Sequence, residues 1–332
     1  MYRMMMTIRL LDERMMILQR QGRIGFYGAC TGQEVPPIAT AAALEPTDWI
    51  FPALREGAAM LYRGFDLETY VCQVFGNRGD VLRGRQMPSH YADRRVNFVS
   101  WSSCIATQLP QAVGAAWAAK LRGDRTITAG FMGDGATSEA DFHYALNFAG
   151  VYRVPCILIC QNNHWSISVP TAQQTRARTI AEKAHAYGLP LARVDGNDAL
   201  AVYGAVREAA ARARAGGGAT FIEMLTYRIG AHSSSDDPRV YRDEREVEEW
   251  KKRDPLERYR RFLIGAGHWS EAKDAAQKSE LEATILATVQ RAEKHPPPDR
   301  DTLFEDVYAR RPWHLEEQRE AFLREPPAPP EH

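Results

Sequence analysis

Several features are missing from this 332-residue sequence, and each absence removes a class of function. There is no excess of charge: Lys+Arg and Asp+Glu both total 42. A neutral chain has no electrostatic footprint for nucleic acid, and little repulsion opposing its own assembly. No apolar run approaches the ~20 residues that a membrane-spanning helix needs. The start, Met1 to Gln21, mixes methionine with arginine, aspartate and glutamate. It lacks the apolar core and small-residue cleavage site of a secretory signal and shows no transit peptide, so a cytoplasmic location is expected. Five cysteines occur, none in a C-x-x-C pair. Cys156 and Cys160 flank an apolar run and read as buried, reduced thiols, which points to a reducing compartment. The sequence contains no G-x-x-x-x-G-K-[ST] phosphate loop and no G-x-G-x-x-G opening a helix after a strand, which disfavours a nicotinamide dehydrogenase. No internal repeat is visible.

What remains is an ordinary globular composition, 45% hydrophobic and 25% charged. The pattern predicts a helix over Ile8–Arg20, an irregular glycine-rich segment over Gly22–Gly32 and a buried helix over Gln33–Leu44. A short strand is expected at Trp49–Phe51, a helix at Ala53–Arg63 and a long loop at Gly76–Asn97. Helices at Ala106–Leu121, Ser138–Ala149, Glu182–Tyr187 and Ala199–Ala215 alternate with strands at Thr126–Met132, Cys156–Cys160, Leu191–Val194 and Thr220–Leu225. Such alternation implies an α/β fold: a mostly parallel sheet with helices on both faces. Tyr227–Arg245 reads as a polar loop, and the chain beyond it as charged helices ending in a mobile proline-rich tail. The expected organisation is an N-terminal helical arm (1–24), a main domain (25–245, including loop 227–245) and a C-terminal helical region (246–332).

The strongest chemical signal is Gly133-Asp134-Gly135, with Asn162-Asn163 following after residues 136–161. Each half follows an apolar strand, and ligands of such sheets bind beyond the strands' carboxyl ends. Asp134 and Asn163 are therefore expected side by side. A carboxylate oxygen, an amide oxygen and the carbonyl of Trp165 suit Mg²⁺, with diphosphate oxygens and water completing an octahedron. The glycines clear side chains from a phosphate's path, and the positive end of the following helix is expected to face the same anion.

These residues carry a family resemblance. The run GDGATSEADFHYALNFAG…CQNNHWSISVPT resembles the α subunits of thiamine-diphosphate-dependent 2-oxo-acid dehydrogenases (E1 components), the branched-chain type most closely. The likeness runs from about Gly25 to about Tyr308. It implies a thiamine-diphosphate-binding fold, with Gly133, Asp134, Gly135, Ala136 and Asn163 at the diphosphate and Mg²⁺ on Asp134, Asn163 and Trp165. The block Tyr227–Pro238 resembles the family's active-site loop, which makes His232 the catalytic histidine at the cofactor. Ser233 matches a regulatory phosphorylation site of mitochondrial relatives but is taken here as an ordinary polar loop residue. Phe51–Glu56 resembles a segment whose arginine contacts the diphosphate, here Arg55, although Leu54 replaces the usual tyrosine. Gln161 stands where some relatives have an arginine. The block Ser102–Gln108 implies cofactor contacts at Ser103 and Ile105. It also implies a structural K⁺ held by Ser102, Cys104 (carbonyl), Thr107 and Gln108.

The resemblance further implies a separate E1 β subunit, because the chain has room for only one such α/β domain. An α₂β₂ heterotetramer and a lipoylated E2 acyltransferase as acyl acceptor follow. The expected reaction is oxidative decarboxylation of branched-chain 2-oxo acids such as 3-methyl-2-oxobutanoate, with pyruvate or acetoin as the alternatives. A non-catalytic assembly subunit is the reading of another class.

Overall fold

The computed structural model describes residues 1–326. Its centre is a sheet of five parallel strands. In chain order the strands are β1 (Trp49–Phe51), β2 (Thr128–Gly133), β3 (Cys156–Asn162), β4 (Trp165–Ser166), β5 (Val169–Pro170), β6 (Leu191–Asp195) and β7 (Thr220–Leu225). The order across the main sheet is β1-β2-β3-β7-β6, and β4 and β5 form a small antiparallel pair of their own. From β3 the chain runs to the far edge, lays down β6, and returns to insert β7 beside β3. This order puts the carboxyl ends of β2, β3 and β7 next to one another, where such folds bind ligands.

All of β3 is buried, as a central parallel strand covered on both faces must be. Its side chains alternate between two cores. Ile157 and Ile159 join Ala129, Phe131, Ile222 and Met224 on one face, against the helices Tyr2–Arg20, Val35–Ala43 and Ala199–Arg214. Leu158 and Cys160 join Met132 and Phe221 on the other, against the helices Gln108–Arg122 and Ala140–Tyr152. The period of two that makes a strand thus divides one apolar run between two helical layers. The helix Glu271–Ala292 packs on Leu67–Phe75 and on Tyr2–Arg20, so the C-terminal helical region meets the first helix. Among the described residues no helix is long and apolar enough to cross a membrane.

The α/β expectation holds, and the differences are local. The first helix begins at Tyr2, because methionine is a good helix former and the run buries Met5 and Met6. The expected helix Ala53–Arg63 is confined to Gly57–Tyr62. Its first part is held out of helix by Glu56, whose Oε2 accepts the backbone N–H groups of Ala53 (2.7 Å) and Arg55 (3.1 Å). Gly135–Ser138 winds as a 3₁₀ turn, so the next α-helix starts at Ala140 rather than at the expected Ser138, and its positive end lies further along the chain from Asp134. Ala181–Tyr187 is likewise 3₁₀. Of the proline-rich tail, only Pro326 lies within the described residues.

Gly32 sits at φ +90°, and a Cβ there would lie 2.6 Å from the carbonyl oxygen of Tyr227. Gly64 has the same handedness, φ +92°, but open space around it. Gly32→Ala is therefore expected to cost at least about 2 kcal/mol in urea unfolding, and Gly64→Ala only the smaller backbone term of about 1 kcal/mol.

Candidate active site

A cavity of about 300 Å³ opens at the carboxyl ends of β1, β2 and β3. Most residues singled out from the sequence line it: Arg55 beyond β1, Gly133 to Ala136 beyond β2, Asn163 beyond β3, and His232 from the loop beyond β7. Three pairings of parallel strands bring these distant segments together. Gly133 lies opposite Gln161, and Asn162 opposite Leu225.

Arg55 is the cation of the site. Its side chain is almost fully buried, yet none of the ion pairs among the described residues involves it. Its guanidinium instead donates to the carbonyl of Ala29 and, at 2.8 Å, to the carbonyl of His232. Burial, reinforced by nearby Arg228, lowers its pKa to about 10, and it remains charged at neutral pH. A buried, unpaired cation facing a cavity is an incomplete arrangement that a bound anion would complete. His232 answers to the same field. Its Nδ1 lies 3.4 Å from Arg55 Nη2. Burial first, then the charges of Arg55 and Arg228, push its pKa down to about 4. The imidazole is neutral at neutral pH, with Nδ1 toward the guanidinium and the second nitrogen able to carry the proton.

Asp134 is buried, and burial raises its pKa against the pull of two hydrogen bonds. Both bonds end on Oδ2: the Thr171 hydroxyl donates at 2.9 Å and Gln174 Nε2 at 3.0 Å. The other carboxylate oxygen is left for a further partner. Asn163 is oriented by donating from Nδ2 to Gln33 Oε1 (2.9 Å) and accepting the Trp165 N–H at Oδ1 (3.1 Å). The Trp165 carbonyl accepts from Arg228 Nη1 at 3.3 Å, which leaves one lone pair. The two glycines differ. A Cβ on Gly133 would meet nothing within 4 Å, whereas one on Gly135 would collide with Ser166 Oγ at 2.1 Å. Gly133 therefore opens space for a ligand, and Gly135 admits the β4 hairpin.

Two buried polar atoms in the cavity wall have no partner, Gln33 Nε2 and Gln161 Oε1. Gln161 donates its other amide atom to Glu56, and burial raises the pKa of that carboxyl to about 7. An orphaned donor, an unpaired guanidinium and an open backbone at Gly133 fit an anionic ligand, a diphosphate among them.

The Ser102–Gln108 segment forms one wall. Ser103 and Ile105 are exposed at the mouth, and Ser103 Oγ lies 2.9 Å from His90 Nε2. Ser102, Cys104 and Thr107 share one turn: Cys104 N–H donates to Ser102 Oγ (3.2 Å), and Thr107 Oγ1 donates to the Cys104 carbonyl (2.8 Å). Gln108 Nε2 donates to the Phe131 carbonyl (2.7 Å), which fixes its amide under the loop.

Sequence reasoning missed the supports. Thr171 and Gln174 hold Asp134, Gln33 holds Asn163, and Arg228 ties the β4 hairpin to the His232 loop. Arg228 Nη2 donates to the Ile167 carbonyl (2.7 Å) and the Tyr241 hydroxyl (2.8 Å), and Tyr241 donates to Asp236 Oδ2 (2.5 Å). Asp236 Oδ2 also accepts the backbone N–H of His232 (2.7 Å). The one available signal was that Arg228 shares the block Tyr227–Pro238 with His232.

Residues 2–300 match the family model described as dehydrogenase E1 component. The 2-oxoisovalerate dehydrogenase subunit alpha 1, mitochondrial, of Arabidopsis thaliana is 46% identical over 319 residues, covering 96% of this chain and 68% of that protein. The human 2-oxoisovalerate dehydrogenase subunit alpha, mitochondrial, is 42% identical over 324 residues, 97% of this chain and 73% of that one. The Caenorhabditis elegans counterpart is 42% identical over 322 residues, 96% and 74% of the two chains. The chain belongs to the dehydrogenase E1 component family.

Proposed function

We propose that this chain is the α subunit of a thiamine-diphosphate-dependent 2-oxo-acid dehydrogenase, that its substrates are branched-chain 2-oxo acids such as 3-methyl-2-oxobutanoate, and that it works with an E1 β subunit and a lipoylated E2. One observation carries the reading: a buried arginine without a carboxylate partner shares a cavity with Asp134, Asn163 and a neutral histidine. The relatives named for 2-oxoisovalerate support the substrate class. An apolar lining that includes Phe26, Leu54, Trp101 and Ile105 supports it too, since a branched side chain gains from apolar contact.

Arg55 would hold the diphosphate, with Gln33 Nε2 as a further donor. The metal would take Asp134, the Asn163 side chain and the Trp165 carbonyl. Among the described residues no cluster of three or more His, Cys, Asp or Glu could hold a metal alone. Mg²⁺ would thus depend on diphosphate oxygens, as it commonly does in phosphate sites. A K⁺ would sit at the turn of Ser102, Cys104, Thr107 and Gln108. When bound, the cofactor's thiazolium ring supplies the electron sink for loss of CO₂. His232, neutral, with its ring beside Arg55 and its backbone N–H held by Asp236, would donate a hydrogen bond from its protonated ring nitrogen to the oxygen that gains negative charge.

Two outcomes follow. A complex of this chain with its β subunit, assayed with an artificial electron acceptor, prefers 3-methyl-2-oxobutanoate to pyruvate and acetoin. His232→Ala lowers its kcat by at least about 100-fold. Preference for pyruvate or acetoin would overturn the substrate, and full activity of the variant would overturn the role. The second outcome concerns pH. The folded pKa of His232 lies below its unfolded value, so between about 6.5 and about 4 the unfolded chain binds a proton that the native one refuses. Stability contributed by neutral His232 is present above this window and is lost as pH falls through it. Urea midpoints of the cofactor-free complex should fall less steeply over that window in His232→Asn than in the wild type.

A further inference from the structure

The mechanism leaves several buried carboxylates unused, and one of them borders the active site. Asp12, on the helix Tyr2–Arg20, is 1% exposed and lies in none of the ion pairs among the described residues. It is saturated with donors from a single stretch of chain. Oδ1 accepts the Tyr27 hydroxyl (2.9 Å), and Oδ2 accepts the Cys30 N–H (2.7 Å) and the Thr31 hydroxyl (3.2 Å). The segment so fastened, Tyr27–Thr31, has no regular structure of its own. Its other side meets the active site. The Ala29 carbonyl accepts from the Arg55 guanidinium. Tyr27 binds the His232 loop twice, its N–H donating to Ser234 Oγ (3.0 Å) and its carbonyl accepting the Ser234 N–H (2.9 Å).

We propose that Asp12 is a positioning residue: it fixes Tyr27–Thr31 as a template, and through it sets both the Arg55 guanidinium and the loop that carries His232. The inference rests on the functional reading above only in naming the anion that Arg55 receives. An irregular segment has no ladder to fix its carbonyls, so its geometry comes from side-chain bonds. Asp12 supplies three, spread over both of its oxygens, as only an acceptor-only carboxylate can. The amide introduced by Asp12→Asn would present a donor to groups that are themselves donors.

The test uses the complex of this chain with its β subunit and four versions: wild type, Asp12→Asn, Tyr27→Phe and Met15→Ala. Tyr27→Phe removes one of the three bonds and keeps the ring, so it reports even if Asp12→Asn folds poorly. Met15 is fully buried on the same helix, one turn beyond Asp12, and has no polar group with which to join this network. Calorimetric Kd for thiamine diphosphate in excess Mg²⁺ should rise at least about tenfold in Asp12→Asn, and less in Tyr27→Phe. Without cofactor, tryptic cleavage after the exposed Arg239 in the His232 loop should accelerate in the same order. Met15→Ala should lower Tm yet keep the wild-type Kd and cleavage rate. Wild-type Kd and cleavage in both Asp12→Asn and Tyr27→Phe would overturn the proposal. So would a Met15→Ala defect as large as that of Asp12→Asn, since simple destabilisation would then explain both. If the wild type binds no thiamine diphosphate, the functional reading falls, and the cleavage rates still decide the role of Asp12.

Discussion

The site is organised around a positive charge that the chain does not neutralise. A buried guanidinium without a counter-ion costs several kcal/mol, and it persists only where the surrounding structure holds it or a ligand completes it. Arg55 has two carbonyls, from Ala29 and His232, in place of a carboxylate. Arg228 is in the same position, held by the Trp165 and Ile167 carbonyls and the Tyr241 hydroxyl. Burial, reinforced by the two cations, keeps His232 neutral. The same arrangement therefore prepares an anion site and selects the protonation state of the imidazole beside it. An arriving diphosphate would relieve the first and moderate the second.

The backbone makes this arrangement possible. Four strand ends deliver the residues, and the parallel register fixes their order: Arg55 after β1, Asp134 after β2, Asn163 after β3 and His232 after β7. Supports come from elsewhere in the chain. Gln33 orients Asn163 across 130 residues, and Arg55 meets His232 across 177. Such bonds are meaningful only once the sheet is formed, so the strength of the site depends on the fold beneath it.

That division explains what could be read from the sequence. The alternation of strands and helices was legible because hydrophobic period is a local property, and β3 and β7 lie where that pattern put them. Gly133-Asp134-Gly135 and Asn162-Asn163 were legible because their neighbours are strands. The turn at 53–56 was not, because local propensity favours helix there and the Glu56 side chain overrides it by taking two backbone N–H groups. The 3₁₀ turn after Asp134 was equally hidden. Gln33, Thr171 and Gln174 carry no signal of their own; they are polar residues in irregular or short segments until Asn163 and Asp134 are beside them. Gly135, assigned to the ligand, lines the cavity and also leaves room for Ser166, a contact between segments that the sequence alone does not juxtapose.

The central claim is that the cavity is built for a diphosphate's charge rather than for the shape of its organic part. Calorimetric titration of the α/β complex with thiamine diphosphate and with thiamine, both in excess Mg²⁺, tests it directly. The account predicts that removing the diphosphate weakens binding by at least about 100-fold, and that Arg55→Met removes most of that difference. Equal affinity for the two ligands, or a difference unchanged in Arg55→Met, would contradict it.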